Sequence, residues 1–197
     1  MKSYFVAKLL GKNPVSRKFG LDRGEAIDRY YIEKFLFENR QHIKGKVLEI
    51  AESTYTKKFG ENKVEEALVL HVSSDMDADI VGNLETGEGI PENMIDCFIL
   101  TQTLPFIYDI KSTVKNCMRI LKSGGHLLIT VPGITQISRY DMERWGHFWS
   151  FTDLSLRRLF EDNVPPEVVQ LYEVASVDEF VSEIISPEQI EVFDALN

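Results

Sequence analysis

Cysteine is scarce in this chain of 197 residues, which contains only Cys97 and Cys117. Two cysteines outside any motif predict neither a disulfide framework nor a zinc site. Cys97 lies in an apolar run and Cys117 in a helix-like segment, so we expect both to be small core residues. The four histidines lie in separate segments without the spacing of metal ligands, and no metal site is expected.

Basic residues and long apolar runs are also limited. Lys and Arg number 22 against 31 Asp and Glu, which gives a net charge of −9. This balance disfavours nucleic acid as the main partner, because phosphate backbones require concentrated positive charge. No apolar stretch is long enough to cross a bilayer, and the short N-terminal apolar patch is interrupted by Lys8. We therefore expect a cytoplasmic protein without a membrane partner; the sequence does not indicate its oligomeric state.

Glycine is missing where a short buried strand, Lys46 to Ile50, runs into a small and polar loop. Position 51 is Ala, and the next glycine is Gly60. A doubly wound α/β domain opens its crevice for a nucleotide-like cofactor at the carboxyl end of its first strand. Glycine is usual there because it lets the backbone approach the ligand without an intervening Cβ atom. The strand therefore fits such a domain, while the loop after it departs from the usual pattern.

Apolar periodicity predicts an alternation of strands and helices. The near-continuous apolar strands imply a parallel sheet covered on both faces. The predicted strands are Val47–Ile50, Ala67–Val72, Ala78–Val81, Met94–Thr101, His126–Val131 and a last one at Val168–Tyr172. The predicted helices run from Glu25 to Asn39, from Ile110 to Leu121, and from the N-cap Thr152 to Glu161 with Leu154, Leu156 and Leu159 toward the core.

These elements divide the chain into three parts. Residues 1–24 form an irregular arm punctuated by glycine and proline. Residues 25–175 form one α/β domain, and residues 176–197 form a polar helical tail. A turn, Lys122 to Gly125, is expected before the strand at His126.

Three segments together resemble the class I S-adenosylmethionine-dependent methyltransferases: Val47–Ile50, Ile95–Thr103 and Arg119–Pro132. The last is the most specific, since it is close to the family run R-x-L-K-P-G-G with Ser123 in place of proline. The order and spacing match from about residue 25 to residue 160. Arg23–Tyr31 and Arg139–Trp149 resemble a bacterial subgroup often found beside glycosyltransferases.

The resemblance implies a doubly wound, Rossmann-like and mostly parallel sheet with helices on both faces. The family sheet usually closes with an antiparallel strand pair, and only Val168–Tyr172 remains here for it. The implied cofactor is S-adenosylmethionine. Glu49 would lie near the cofactor's amino-acid portion, or would instead cap the backbone of the following loop. The residues implied to line the methionine and ribose moieties are Ala51, Glu52, Ser53, Thr54, Tyr55 and Thr56.

Further cofactor contacts follow from the same resemblance. The second family strand usually ends in an acid that binds the ribose hydroxyls; Ala67 takes that position here, or Glu66 if the register slips by one. Asn83 and Leu84 match the loop beside adenine, although Asn83 also suits a plain turn. The residues implied over the crevice are Thr101 and Gln102, and either Arg29 or Tyr30 is implied to touch the cofactor carboxylate.

The segment Tyr140–Trp149 lies where acceptor lids are found in this family. Its tryptophans, Trp145 and Trp149, suit an apolar or sugar-stacking wall, and Asp141 or His147 could accept a proton from a hydroxyl group. The alternative is that the tryptophans seal the sheet edge and that His147 is a surface residue.

Two functions remain open at this point. The first is methyl transfer from S-adenosylmethionine to a small-molecule or saccharide-like acceptor. The second is a methyltransferase-like module that has lost activity and serves in binding or regulation, which the altered loop and the missing ribose acid favour. A nicotinamide oxidoreductase is disfavoured because no Gly-x-Gly-x-x-Gly follows the first strand.

Overall fold

The computed structural model describes residues 27–74, 76–133 and 137–164. The predicted arm at 1–24, the last strand at Val168–Tyr172 and the tail at 176–197 lie outside the described residues. Among the described residues, no helix is both long and apolar enough to cross a membrane.

The described part of the chain is built on a parallel sheet of five strands in the order β3-β2-β1-β4-β5. All neighbouring strands in this order run in the same direction, as in doubly wound domains. The strands are β1 Gly45–Ile50, β2 Val64–His71, β3 Ile80–Val81, β4 Ile95–Thr101 and β5 Leu121–Thr130. The predicted α/β class with a parallel sheet is confirmed.

Helices cover both faces of this sheet. They are α1 Ile27–Glu38, α2 Thr54–Phe59, α3 Ile110–Ile120, α4 Arg139–Trp145 and α5 Asp153–Glu161. The start of α5 is as predicted, because the Thr152 side chain caps it in a reciprocal box with Ser155. Leu156 and Leu159 of α5 are buried, whereas the expectation for Leu154 was wrong: its side chain is 60% exposed.

The central strands alternate their side chains between two apolar layers. Leu48 of β1 and Phe98 of β4 point into one layer, with Val114 and Ile120 of α3. Val47, Cys97 and Ile99 point into the other, with Leu36 of α1 and Phe59 of α2. Because β1 and β4 are buried on both faces, their sequences read as continuous apolar runs.

Two predicted strand starts differ most from the structure. Strand β2 begins at Val64, before the predicted Ala67, and its exposed first half carries Glu66, which pairs with Lys46 at 2.7 Å. Strand β5 begins at Leu121, and the predicted glycine turn is an irregularity inside it. Gly124 adopts a φ of +78° there, which a residue with a side chain rarely takes.

Candidate functional site

The carboxyl ends of the parallel strands meet at one edge of the sheet, and this edge is the candidate site. Most of the predicted cofactor residues are brought together there by three strand ends. Ala51 to Tyr55 follow β1, Asn83 and Leu84 follow β3, and Thr101 and Gln102 end β4. The sheet order places β1 between β2 and β4, so the loop after β1 is central.

Ala51 keeps a backbone conformation that normally requires glycine. Its φ is +65°, and its N–H donates to the carbonyl of Leu70 at the end of β2, 3.1 Å away. An alanine in this left-handed region costs about 1 kcal/mol relative to glycine. The loop therefore has the path of a glycine loop although it lacks the glycine.

Glu49 ties the end of β1 to the helix that follows the loop. Its carboxylate accepts hydrogen bonds from the N–H groups of Tyr55 (3.1 Å) and Thr56 (2.9 Å), and from the Thr56 hydroxyl (2.9 Å). The side chain is only 3% exposed. Burial raises the pKa of Glu49 above its ordinary value, and the three hydrogen bonds oppose that rise. The structure thus gives Glu49 the capping role that was one of its two sequence interpretations.

Tyr55 connects this loop to α1. Its ring is buried in the layer with Phe59, and its hydroxyl accepts a hydrogen bond from Arg29 Nη1 at 2.7 Å. Burial raises the pKa of Tyr55, while the Arg29 guanidinium acts against that rise. Tyr30, predicted near the cofactor carboxylate, is 51% exposed and stands edge-on to Tyr31. The side chain that α1 directs to the loop is therefore Arg29.

The ribose position predicted at Ala67 was wrong. Ala67 is exposed and pairs with Val47 in the middle of β1, and Glu66 pairs with Lys46 further from the edge. The residue that ends β2 is His71, which is buried. Its Nδ1 atom lies 3.0 Å from the N–H of Ser73. His71 therefore stands where the family has its acid.

Asn83 and Leu84 lie in a turn after β3. The Asn83 side-chain oxygen accepts from the N–H groups of Glu85 (2.8 Å) and Thr86 (3.3 Å), which is the turn-building role weighed for it from the sequence. The Leu84 side chain is buried in the core, and its carbonyl accepts from Asn116. The N–H and the carbonyl of Asn83 are also bonded within the turn, to the carbonyl of Glu88 and the N–H of Gly87.

The ends of β4 and β5 present a row of hydroxyl and amide groups. Gln102 has a φ of +51°, and its N–H donates to the carbonyl of Thr130 at 2.9 Å. Thr101 pairs with Thr130 across the two strands. The hydroxyl of Thr130 is buried and has no hydrogen-bond partner among the residues that the structure describes. A buried hydroxyl without a partner at this edge is a position for a ligand group to fill.

The aromatic segment after α4 lies against the loop that follows β4. The Phe148 N–H donates to the carbonyl of Pro105 at 2.7 Å, and the Trp149 indole N–H donates to the carbonyls of Ile107 (3.0 Å) and Tyr108 (3.2 Å). The His147 ring packs edge-on against Phe106 at 5.4 Å. This contact places His147 beside the site and not on an isolated surface.

The two predicted proton acceptors are not paired. The N–H of Asp141 donates to the N-cap hydroxyl of Ser138 in the first turn of α4. His147 Nδ1 is buried and has no hydrogen-bond partner within residues 27–74, 76–133 and 137–164. Within the part of the chain that the structure describes, no hydrogen bond joins Asp141 to His147. Because His147 packs against Phe106 beside the site, it is better placed than Asp141 to accept a proton.

Sequence reasoning missed His71, Thr130 and two of the helices. A polar residue ending an apolar run was the available signal for both His71 and Thr130. Helix α2 has six residues and α4 has seven, both too short for a periodic pattern.

Comparisons with known proteins agree with this geometry. Residues 38–129 match the family model described as a methyltransferase domain. A search of curated proteins found no match. Among solved structures, an S-adenosylmethionine-dependent methyltransferase from Archaeoglobus fulgidus is similar at 14% identity and a TM-score of 0.52, covering 96% of this chain and 89% of that one. Another, from Mesorhizobium loti, is similar at 16% identity and a TM-score of 0.52, covering 89% and 95%.

The sheet order and these similarities agree with the resemblance to the class I methyltransferases, while the resemblance to a subgroup found beside glycosyltransferases stays a prediction. The chain carries a match to the methyltransferase domain over residues 38–129, and its fold is that of the class I S-adenosylmethionine-dependent methyltransferases.

Proposed function

We propose that this protein transfers the methyl group of S-adenosylmethionine to a hydroxyl or amine of a small-molecule or saccharide-like acceptor. The proposal rests on the backbone conformation of Ala51. This residue keeps the left-handed backbone of a cofactor loop at the end of the central strand. A strained residue of this kind persists where the surrounding structure requires its conformation, and such residues concentrate at functional sites.

The residues at the edge fit the cofactor in two respects. The Ala51 loop keeps the left-handed backbone of a glycine loop at the end of β1, and the hydroxyl of Thr130 is buried without a hydrogen-bond partner among the described residues. The backbone of residues 51–54 would hold the methionine and ribose moieties, and the turn at Asn83 would flank adenine. When bound, the cofactor supplies an electrophilic methyl group on its sulfonium.

The protein contributes position and proton acceptance. Methyl transfer is an in-line displacement, so holding the acceptor in line is the main contribution of the enzyme. The wall for the acceptor would be formed by the aromatic rings after β4 and α4, whose members are Phe106, Tyr108, Phe148 and Trp149. The ring centroids of Tyr108 and Trp149 lie 6.2 Å apart, and the ring planes are tilted by 30°. Two neighbouring aromatic faces of this kind suit a flat or sugar-ring acceptor.

His147 is the residue proposed to take the acceptor proton. Its Nδ1 atom is buried beside Phe106 and has no hydrogen-bond partner in the described part of the chain. A ring nitrogen without a partner beside the acceptor wall is a candidate general base. Asp141 is the second candidate for this role.

Thermal denaturation with ligands tests the proposal. S-adenosylhomocysteine at a hundredfold excess over its Kd is expected to stabilise the fold by about 2.7 kcal/mol. Nicotinamide adenine dinucleotide, at the same concentration, is the matched control and should not raise Tm. A Tm that no S-adenosyl ligand raises would contradict the proposal.

The degenerate binding module is the second candidate. It is favoured by His71 in place of the family's acid and by the engagement of both Glu49 oxygens inside the protein. Transfer of a labelled methyl group to a panel of saccharides and phenols separates the two functions. Cofactor binding without transfer to any acceptor favours the module. Transfer that falls at least about a hundredfold in His147→Gln, with cofactor affinity unchanged, supports the enzyme.

A further inference from the structure

Helix α4 lies over the middle of the candidate site. At its carboxyl end, the indole of Trp145 stands edge-on to the ring of His71, with 5.8 Å between ring centroids. The same helix contacts the turn Leu104–Phe106 that follows β4. Because β1 lies between β2 and β4, a helix that reaches both neighbours passes above the end of β1. That end is where the Ala51 loop begins.

The partner of this indole is held in place. His71 is buried, and the N–H of Ser73 donates to its Nδ1 atom at 3.0 Å. This contact with the backbone of Ser73 fixes the orientation of the ring. His71 is thus a fixed ring at the end of β2.

The Trp145 side chain has few contacts with the rest of the described structure. Its side chain is 46% exposed, and its indole N–H makes no hydrogen bond within the described residues. None of the seven residues of α4 is buried. Gly146, which ends the helix with a φ of +86°, has the ring of Phe148 where a Cβ atom would lie. An exposed helix that ends at a glycine is a segment of low local stability.

We propose that Trp145 is a cofactor-contacting residue that forms the roof of the cleft: its indole leaves the edge of His71 and packs on the adenosine portion of the bound cofactor. The inference rests on the proposed function. It assigns part of cofactor recognition to an aromatic face beside His71, the residue that stands where the family uses a carboxylate. Stacking of this kind strengthens binding by about tenfold.

The chain contains two tryptophans, which makes the test selective. Trp149→Phe leaves Trp145 as the single emitter, and Trp145→Phe leaves Trp149. S-adenosylhomocysteine should change the emission of the Trp149→Phe variant along a saturable curve whose midpoint matches the Kd from calorimetry. The emission of Trp145→Phe should not change, because the Trp149 indole is fixed by two carbonyls.

Affinity provides a second measurement. Trp145→Ala should bind S-adenosylhomocysteine about tenfold more weakly, and Trp145→Phe should retain most of the affinity because it keeps an aromatic face. Normal calorimetric binding with unchanged Trp145 emission and unchanged affinity in Trp145→Ala would overturn the inference and leave the proposed function standing. Absence of binding to the wild-type protein would overturn both.

Discussion

The backbone N–H and the hydroxyl of Thr56 both donate to the same oxygen of Glu49, each at 2.9 Å. Through this contact the end of β1 holds the first turn of α2, and the loop between them is fixed at both ends. The acid that the sequence placed near the cofactor therefore acts inside the protein, where it sets the path of the loop.

Replacing Glu49 with Gln tests this role. The amide keeps one acceptor but turns an N–H₂ group toward the donors of α2, so we expect a loss of about 2 kcal/mol in the free energy of unfolding. Urea denaturation measures it. Glu52→Gln, at an exposed neighbouring position, is the matched control and should change stability little. A Glu49→Gln protein as stable as this control would refute the capping role.

The buried carboxyl of Glu49 also makes the stability of the fold depend on pH, with a defined sign. Because burial raises the pKa of Glu49 above 4.5, the folded chain binds this proton more tightly than the unfolded chain does. The contribution of Glu49 to stability therefore falls as pH rises from 4.5 through the folded-state pKa. The stability difference between wild type and Glu49→Gln should be larger below this interval than above it. Denaturation curves over a pH series would show the opposite trend if the pKa were lowered.

Ala51 offers the sharpest test of loop geometry. Ala51→Gly should increase stability by about 0.5–1 kcal/mol because glycine adopts a φ of +65° without strain. It should also bind S-adenosylhomocysteine more tightly, since the Cβ atom no longer faces the ligand. Ala51→Val should lose stability instead, because a β-branched residue is poorly accommodated in this region. Denaturation and calorimetry check the pair; destabilisation by glycine would contradict the left-handed assignment.

Arg29 and Tyr55 should be energetically coupled. Their hydrogen bond of 2.7 Å joins α1 to the buried ring in α2. In a double-mutant cycle with Arg29→Met and Tyr55→Phe, we expect a coupling energy of about 1 kcal/mol. Urea denaturation of the four proteins measures this energy, and a coupling near zero would show that α1 is not held through this contact.

The rings of His42 and His126 form an acid-sensitive pair, with 4.0 Å between their centroids. Burial lowers the pKa of each histidine, and the positive charge of Lys44 adds to that effect on both. The unfolded chain therefore binds these protons more tightly, and stability should be lost as pH falls below 6.5 toward the folded-state pKa values.

Two variants check this pH dependence. His126→Gln should flatten the fall in stability below pH 6.5, because it removes one titrating group and its effect on the other. Lys44→Met should make the loss of stability below pH 6.5 smaller, because it removes the positive charge that lowers the pKa of both histidines. Melting temperatures across a pH series measure both effects. Equal slopes in wild type and in His126→Gln would contradict the account.

The sequence predicted the central strands well because β1 and β4 are buried on both faces and so read as continuous apolar runs. It failed at the first half of β2, which pairs with β1 but carries the exposed, charged side chains of Glu65 and Glu66, a pattern typical of a loop. The role of Glu49 stayed open because whether a strand-end acid faces a ligand or a following helix depends on α2, which has only six residues. The proximity of Trp145 to His71 is a tertiary contact between segments about seventy residues apart, and no local pattern encodes it.

Calorimetric titration of the wild-type protein with S-adenosylmethionine and S-adenosylhomocysteine tests the central claim most directly, namely that the Ala51 loop still admits the cofactor. The account predicts one site per chain with a Kd in the micromolar range. No heat of binding at millimolar ligand, with no thermal stabilisation, would contradict it.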